Sequence, residues 1–423
     1  MKVHASHVED LYPMLSVEEA LDKVLKAFQV LEVESVPILE ALGRVLGEDI
    51  HADMDIPPHD NTAMDGYALR AVDTQGATAT NPRRLRVIEN LAAGYVAAQR
   101  VEPGTAIRIM TGAPIPPGAD AVIRFELTEQ QGEWVKVYRE VPVGNNIRRA
   151  GEDVQRGALV LARGKVLRPQ EIGMLAALGR RQVSVIRRPR VAILSTGDEL
   201  VDIDEPLAPG KIRNTNSYSA AALVLKYGGE PILLGIARDT VEDLTAKLRE
   251  GLACGADLLV TSGGVSVGDF DVVKKVLAAE GEITFWRVRM KPGKPFAFGH
   301  IEADVDGQRR RVPILGLPGN PVSVMVSFEM FARPAILKMS GHKDLAKRSV
   351  DAILVDGIKR KDNRRHYVRV SLEQRDGVLY ATLTGEQGSG ILYSMVKADG
   401  LAVIPEEWDH VSPGTRVRVL LFD

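Results

Sequence analysis

The sequence holds a single cysteine, Cys254, in 423 residues. A lone thiol excludes an intramolecular disulfide framework and a cysteine-rich zinc site, and it fits a reducing compartment. Cys254 itself reads as a small buried residue. Net charge is nearly absent as well: 54 basic and 56 acidic side chains leave −2. That balance argues against a general nucleic-acid or anionic-membrane surface, so any anion site must be local. No apolar run approaches the length of a membrane helix, and the start of the chain lacks a basic-then-apolar signal pattern. A cytoplasmic protein with neither nucleic acid nor membrane as partner is predicted. The eight histidines are scattered, no His-Glu-x-x-His occurs, and no serine–histidine–acid pattern is apparent. Zinc chemistry and covalent catalysis are not expected. Low-complexity segments and short internal repeats are missing too.

Glycine turns at strand ends are what the sequence does have. An apolar strand, Asp257–Thr261, breaks into Ser262-Gly-Gly-Val-Ser-Val-Gly-Asp-Phe-Asp271 before a helical pattern, Val272–Ala279. Such a turn lets backbone N–H groups approach an anion, and the helix start that follows favours it. A second turn, Ser195-Thr-Gly-Asp-Glu199, follows the strand Val191–Leu194, and a third, Leu317-Pro-Gly-Asn-Pro321, follows Val312–Leu315. Three such junctions predict a cleft along the carboxyl edge of a parallel sheet, where open α/β folds place ligands.

Around them, Ser16-Val-Glu-Glu19 resembles a capping box opening a helix through Phe28, and a second short helix is expected near Ile38–Leu42. After the stiff His51–Pro58 connector come short β-like runs, Leu85–Ile88, Ala106–Met110, Ala121–Arg124 and Trp134–Tyr138, as in a small β-domain. A helix is expected over Pro169–Leu178. Between about Arg190 and Gly341 strands alternate with helices near Ser217–Tyr227, Thr240–Gly251 and Val272–Ala279, a βαβ series with a largely parallel sheet. A long helix after Pro321 should kink at Pro334 and end at Gly341. Ala352–Asp423 reads as short strands only.

Several polar strings have two readings. Asp60-Asn-Thr-Ala-Met-Asp-Gly-Tyr67 and the Thr111-Gly112 strand end are either plain turns or parts of a site. Asp198 and Glu199 beside an anion-binding turn would repel a phosphate unless a divalent cation lay between. Asp239 precedes Thr240-Val-Glu-Asp243, so helix capping is its ordinary role; Asp269 and Asp271 share that alternative. Arg287-Val-Arg-Met-Lys-Pro-Gly-Lys-Pro295 gathers four cations. Its prolines and glycine fix the backbone, so Lys291 and Lys294 could be aimed at one oxyanion rather than serve as surface charge.

These strings, in this order, resemble the molybdopterin molybdenumtransferase family of MoeA-type proteins, whose eukaryotic relatives include the gephyrin E domain. The resemblance spans nearly the whole chain. It rests on Asp60–Tyr67, Ile109-Met-Thr-Gly-Ala-Pro114, Arg148-Arg-Ala-Gly-Glu-Asp153, Ser195–Leu200, Ser262–Gly268, Lys291-Pro-Gly-Lys-Pro-Phe296 and Leu317–Val322. It implies a reaction that joins molybdate to the dithiolene of adenylylated molybdopterin, releasing AMP, with Mg²⁺. Carried over, the active-site residues are Asp65, Thr111, Glu199, Asp239 and Asp271, with Glu199 and Asp239 as metal ligands. Lys291, Lys294, Ser323 and Arg369 match molybdate contacts, and Ser262, Gly263, Gly264, Ser266 and Asn320 the molybdopterin-nucleotide cradle. One departure is Arg287, where bacterial members often have lysine.

The resemblance also implies an architecture: a linker domain split between 1–55 and 150–187, an inserted β-domain over 56–149, a three-layer α/β molybdopterin-binding domain over 188–341, and a C-terminal β-barrel-like domain over 342–423. Family members are homodimers with shared sites, so Asp65 and Thr111 of one subunit would face the α/β cleft of the other. A MogA-type adenylyltransferase is an implied partner and also the competing enzyme reading, since such proteins resemble only about Arg190–Gly341. A non-catalytic scaffold like gephyrin is the competing reading of another class; no second catalytic domain or long linker supports it.

Overall fold

Ser16 and Glu19 close the expected capping box. The Glu19 N–H donates to Ser16 Oγ (3.1 Å) and the Ser16 N–H to Glu19 Oε2 (2.8 Å), a device worth about 1 kcal/mol. The helix runs Val17–Lys26 and buries Val17, Ala20 and Val24; it stops before Phe28, whose N–H already bonds three residues back. The computed structural model describes residues 14–264, 281–305, 307–360 and 362–422. They fall into two units, Met1–Gly47 with Val166–Arg168 and Ser184–Asp423, and Glu48–Lys165 with Pro169–Val183.

In the larger unit a six-stranded sheet has the order Glu230–Ala237, Arg190–Thr196, Leu258–Ser262, Gln308–Leu317, Pro295–Val305, Gly281–Arg287. Its first four strands pair in parallel and its last two pairings are antiparallel, so Pro295–Val305 alone runs against the other five. The sheet is therefore mixed, with the expected parallel strands as its greater part. The connection from Val305 to Gln308, paired at the end of their strands, is far too short for a parallel crossover. Alternate residues go to opposite faces. Val191, Ile193, Leu258 and Val260 pack with Ala220 and Val224 of the Thr215–Lys226 helix. Ala192, Leu194 and Leu259 pack with Leu244, Leu248 and Leu252 of the Val241–Ala253 helix. Helices on both faces give three layers. The expected Val272–Ala279 helix lies outside the described residues.

The segment after Pro321 is a helix, Pro321–Ser327, a π-helical turn, Phe328–Ala332, and a second helix, Arg333–Met339. Pro334 supplies no N–H, and its ring crowds the carbonyl four residues back. The wider π turn just before it absorbs that conflict. Ile38–Gly43 is a series of turns, not a helix: the Ala41 and Leu42 N–H groups bond three residues back. Between a strand ending at Pro37 and Gly43 there is no room for an α-ladder. Cys254 caps the end of Val241–Ala253 and is exposed, against expectation.

The C-terminal strands close a barrel in the order Arg365–Arg375, Val378–Leu383, Ser349–Leu354, Arg416–Leu421, Gly400–Ile404, the last pairing back with the first. Val368, Val370, Ala402, Ile404, Val417 and Val419 fill it. A short helix, Tyr393–Val396, was not expected there. Met290–Lys291 adds to the barrel strand in parallel, Lys291 opposite His366. The smaller unit carries the expected β-runs as Arg83–Leu91, Thr105–Ile109, Ala121–Arg124 and Trp134–Val137, in a six-stranded sheet with Gly66–Leu69 and Thr128–Gln131. Its expected helix is Pro169–Ala177.

A buried ion pair anchors the π turn. Lys347 Nζ lies 2.7 Å from Glu329 Oε2, and the Tyr227 hydroxyl donates to both carboxylate oxygens (2.8 and 2.9 Å). The side chains are only 7% and 2% exposed. Burial pushes the Lys347 ammonium below its usual range, against the pull of Glu329. Lys347→Met should cost about 3–5 kcal/mol by stranding the carboxylate. Adding Glu329→Gln should recover part of that loss, both read from urea unfolding midpoints.

Candidate active site

The three glycine turns meet at the carboxyl edge of the α/β sheet. The Gly263 N–H donates to the Leu317 carbonyl (3.1 Å). A Cβ on Gly263 would stand 2.5 Å from the Thr196 carbonyl oxygen and 2.9 Å from its hydroxyl, and one on Gly319 would stand 3.7 Å from Gly263 Cα. With φ at +89° as well, only glycine fits position 263 without strain. Beneath the turns lies a buried polar cluster that sequence reading missed. Ser195 Oγ is 2.8 Å from Asn214 Oδ1 and Ser217 Oγ, and 2.9 Å from Ser262 Oγ. Asn214 caps the following helix, and Asn216 Nδ2 donates to the Gly319 carbonyl (2.8 Å). The Asn214-Thr-Asn216 run before an apolar helix was the available signal. Among the described residues Thr196 Oγ1, Thr261 Oγ1 and Asn216 Oδ1 are buried without a partner. Such groups cost about 1–3 kcal/mol each unless something meets them.

Acids flank this edge. Gly197 (φ +148°) sits under the Glu199 carboxylate, where a Cβ would meet Oε2 at 2.5 Å. Asp198 and Asp239 exchange long backbone contacts, each N–H 3.4 Å from the other's carboxylate. Asp239 is not the helix cap: Thr240 is, accepting from the Asp243 N–H (3.2 Å). Its carboxylate is thereby left for the turn. Desolvation first, then the charges of Asp198 and Glu199, raise the Asp239 carboxyl above its ordinary range, against the Asp198 N–H. Among the described residues no three His, Cys, Asp or Glu side chains form a metal-ligand group. Two carboxylates with ligand oxygens are nevertheless what Mg²⁺ commonly uses, and a like-charge cluster suits a cation, so Glu199 and Asp239 fit such a role.

The lysine turn has its own supports. A Cβ on Gly293 (φ +107°) would lie 2.7 Å from Ser327 Oγ and 2.9 Å from Met290 Cε, so the turn is pressed against the Pro321–Ser327 helix. Phe296 anchors it against Phe331, ring centroids 4.4 Å apart. Lys291 is half exposed, 3.8 Å from Asp362 Oδ2, a partner that nothing in the sequence pattern announced. Ser323 is buried on the Pro321–Ser327 helix, while Asn320 is exposed at its start and makes no side-chain cap.

Arg369 needs correction. It is 1% exposed. Its guanidinium donates to the carbonyls of Glu386, Gln387 and Gly388 (3.4, 3.2 and 2.9 Å) and to Ser394 Oγ (3.0 Å). A fork spent on four oxygens pins the 386–388 loop and does not await an oxyanion. Arg287 is nearly buried. Ser266, Asp269 and Asp271 lie outside the described residues.

In the smaller unit three of the sequence strings come together. The Thr62 N–H donates to the Ala113 carbonyl, and the Gly112 N–H to that of Thr62 (3.1 and 2.9 Å). Arg148 pairs with Asn61, and Asp60 holds the Arg149 guanidinium (2.6 Å) and the Ala150 N–H (2.8 Å). Asp65 Oδ1 accepts from both the N–H and the hydroxyl of Thr111, each at 2.7 Å. Those two bonds, with Arg108 nearby, hold its exposed carboxyl below the usual range.

Residues 15–179 match the MoeA N-terminal region (domain I and II), 192–338 a probable molybdopterin binding domain, and 351–422 the MoeA C-terminal region (domain IV). Molybdopterin molybdenumtransferase 2 of Mycobacterium tuberculosis is 38% identical over 412 residues, 96% of this chain and 99% of its own. The Bacillus subtilis molybdopterin molybdenumtransferase is 35% identical over 412 residues, 96% and 94% of the two chains. A crystal structure of the molybdopterin biosynthesis MoeA protein of Pyrococcus horikoshii superposes with a TM-score of 0.80 at 36% identity, covering 97% of this chain and all of that one. Matched from end to end in sequence and in fold, the chain belongs to the molybdopterin molybdenumtransferase family.

Proposed function

We propose that this chain works in molybdenum cofactor biosynthesis as a molybdopterin molybdenumtransferase, joining molybdate to the dithiolene of adenylylated molybdopterin and releasing AMP. Support comes from the meeting of the Gly263 and Gly319 turns over Thr196, beside Glu199 and Asp239. Bare backbone and unpartnered hydroxyls suit a phosphate-bearing ligand, and the neighbouring carboxylates suit the cation such a ligand brings. Ser262, Gly263, Gly264, Ser266 and Asn320 would cradle the pterin nucleotide. Lys291, Lys294 and Ser323 would hold molybdate; Arg369 is left out because four of its five N–H donors are spent on the 386–388 loop and Ser394. Glu199 and Asp239 would hold Mg²⁺, which when bound neutralises pyrophosphate charge and polarises the bond that breaks. Two like charges 4 Å apart repel by about 4 kcal/mol at an effective dielectric of about 20. Lys291 and Lys294 offset that repulsion as the two anions approach. Catalysis here is electrostatic positioning rather than proton transfer. A cytoplasmic homodimer completes the reading, in which Asp65 and Thr111 of one protomer face the α/β site of its partner, and Asp271 belongs to that α/β site itself. Titrating the protein and adenylylated molybdopterin with molybdate should release AMP in step with molybdate; consumption of ATP instead would mark an adenylyltransferase.

Asp239→Asn should lower turnover at limiting Mg²⁺ by at least about tenfold, the scale on which even outer-shell metal partners act. The fold should not suffer. A carboxyl with a raised folded-state pKa is charged at a cost once the pH exceeds that value, so the amide relieves the desolvation of a charge and the repulsion by Asp198 and Glu199, and the melting temperature holds or rises. Wild-type activity at limiting Mg²⁺ would remove Asp239 from the metal site. Loss of a charge-assisted contact by Lys291→Ala or Lys294→Ala should weaken molybdate by about 1.5–3 kcal/mol, leaving the pterin nucleotide less affected. Comparing KM values for the two substrates decides this. Finally, at limiting Mg²⁺, mixing Asp65→Ala chains with the impaired Asp239→Asn chains should build heterodimers with one intact site and recover up to about half the wild-type activity. Subunit exchange without recovery would place both acids in one chain's site.

A further inference from the structure

Lys291 lines a cavity of about 550 Å³ together with Lys359, Arg360, Asp362, Asp409 and His410. Among these residues Asp362 is held from both ends. Its carbonyl accepts from Arg360 Nη2 (2.7 Å), whose guanidinium also donates to the Pro405 and Glu406 carbonyls. Its carboxylate accepts from Arg364 Nη2 (2.7 Å), the Arg364 N–H (3.2 Å) and His366 Nε2 (2.8 Å). Burial opposes ionisation of this carboxyl, but the Arg364 and His366 hydrogen bonds outweigh it and keep it well below the usual carboxylate range. His366 in turn stands opposite Lys291 in the strand register.

The Lys291–Asp362 separation is informative. At 3.8 Å the two charges attract, yet the distance is too long for a hydrogen bond, so the ammonium donors stay available. A lysine on a flexible stem loses freedom when it binds, and a fixed counter-charge removes part of that freedom beforehand. We propose that Asp362 is a positioning residue for Lys291, setting the ammonium at the cavity wall so that an incoming oxyanion meets a charge already in place. This rests on the assignment of Lys291 to molybdate made above. Asp362 touches no reacting atom; it acts through Lys291 alone.

The test is steady-state AMP release with molybdate and adenylylated molybdopterin varied separately. Asp362→Asn should raise the KM for molybdate about two- to fivefold, the span of a partly exposed ion pair. The kcat and the KM for adenylylated molybdopterin should stay as in the wild type, and Asp362→Glu should restore part of the loss. In a Lys291→Ala background Asp362→Asn should add nothing, because the coupling runs through that one pair. A uniform loss in both substrates, additive effects, or a lower KM for molybdate would each overturn the proposal, the last by making Asp362 a competitor of the oxyanion. If Asp362→Asn proves unstable in thermal melts, Asp362→Glu carries the same test, and a change in kcat rather than KM overturns it. An unchanged molybdate KM in Lys291→Ala would bring down the assignment of Lys291 and this proposal together. An effect of Lys291→Ala with none of Asp362→Asn would overturn the role of Asp362 alone.

Discussion

The approach of Gly263 to Thr196 governs the architecture of the α/β edge. Parallel neighbours bring their carboxyl ends out side by side, but the chains leaving them ordinarily keep side chains between. Here backbone meets backbone: no Cβ can stand between Gly263 and the Thr196 carbonyl. Given that contact, Gly319 falls beside Gly263, and Asn216 reaches the Gly319 carbonyl from the next helix. The serine and asparagine hydroxyls and amides below are then buried by the closeness of the turns, and they satisfy one another where they can. Orphans remain at Thr196, Thr261 and Asn216, at the edge where a ligand would supply partners. Buried polar groups of this kind call for a partner, and a ligand bound at this edge would supply one.

The lysine turn answers to a different support. It is fastened to the Pro321–Ser327 helix through Gly293 and Ser327, and to the C-terminal barrel through the pairing of Met290–Lys291 with Arg365–His366. The loop after residue 385 is fixed in turn by the Arg369 fork, and the Ser389 carbonyl accepts from the Val322 N–H (3.1 Å) at the start of that helix. Barrel, loop and helix therefore share one set of contacts around the lysines. The π turn that lets Pro334 sit in the chain keeps the helical segment packed without breaking it, and the buried Glu329–Lys347 pair holds that turn.

Much of this was legible in sequence because it depends on local chemistry. Strand ends that run into Thr-Gly, Gly-Gly or Pro-Gly announce a sheet edge, and all three are found together. The capping box at Ser16 and the strands of the smaller unit follow from patterns of a few residues. Asp65 and Thr111 were named separately, 46 residues apart, and their double hydrogen bond joins them. What sequence could not give depends on tertiary partners. Arg369 was carried over as a molybdate contact, and only the fold spends its guanidinium on backbone carbonyls and Ser394. Asp239 resembled a helix cap until Thr240 took that place. The antiparallel edge of the sheet follows from the short connection between Val305 and Gln308, which alternating apolar patterns do not encode. Asp362 is one of many surface-type acids in sequence; Arg364 and His366 lie only two and four residues on, but Lys291 reaches it through the pairing of Met290–Lys291 with Arg365–His366.

A net charge of −2 conceals a strong separation of charge. Asp198, Glu199 and Asp239 stand together, and among the described residues no lysine or arginine side chain pairs with their carboxylates; Lys211 donates to the Asp198 carbonyl instead. On the lysine turn, by contrast, Lys291 has a carboxylate within reach, but one already occupied by two stronger donors. Neutralising either cluster would have been simple, since acids and bases are equally abundant. Desolvation, with the neighbouring acids left to repel one another, raises the Asp239 carboxyl, and leaving Lys291 at 3.8 Å from its counter-charge keeps its donors open. Unpaired acids suit a divalent cation, and a half-paired lysine suits an oxyanion. Both are incomplete alone, and together they match a reaction whose two substrates are anions.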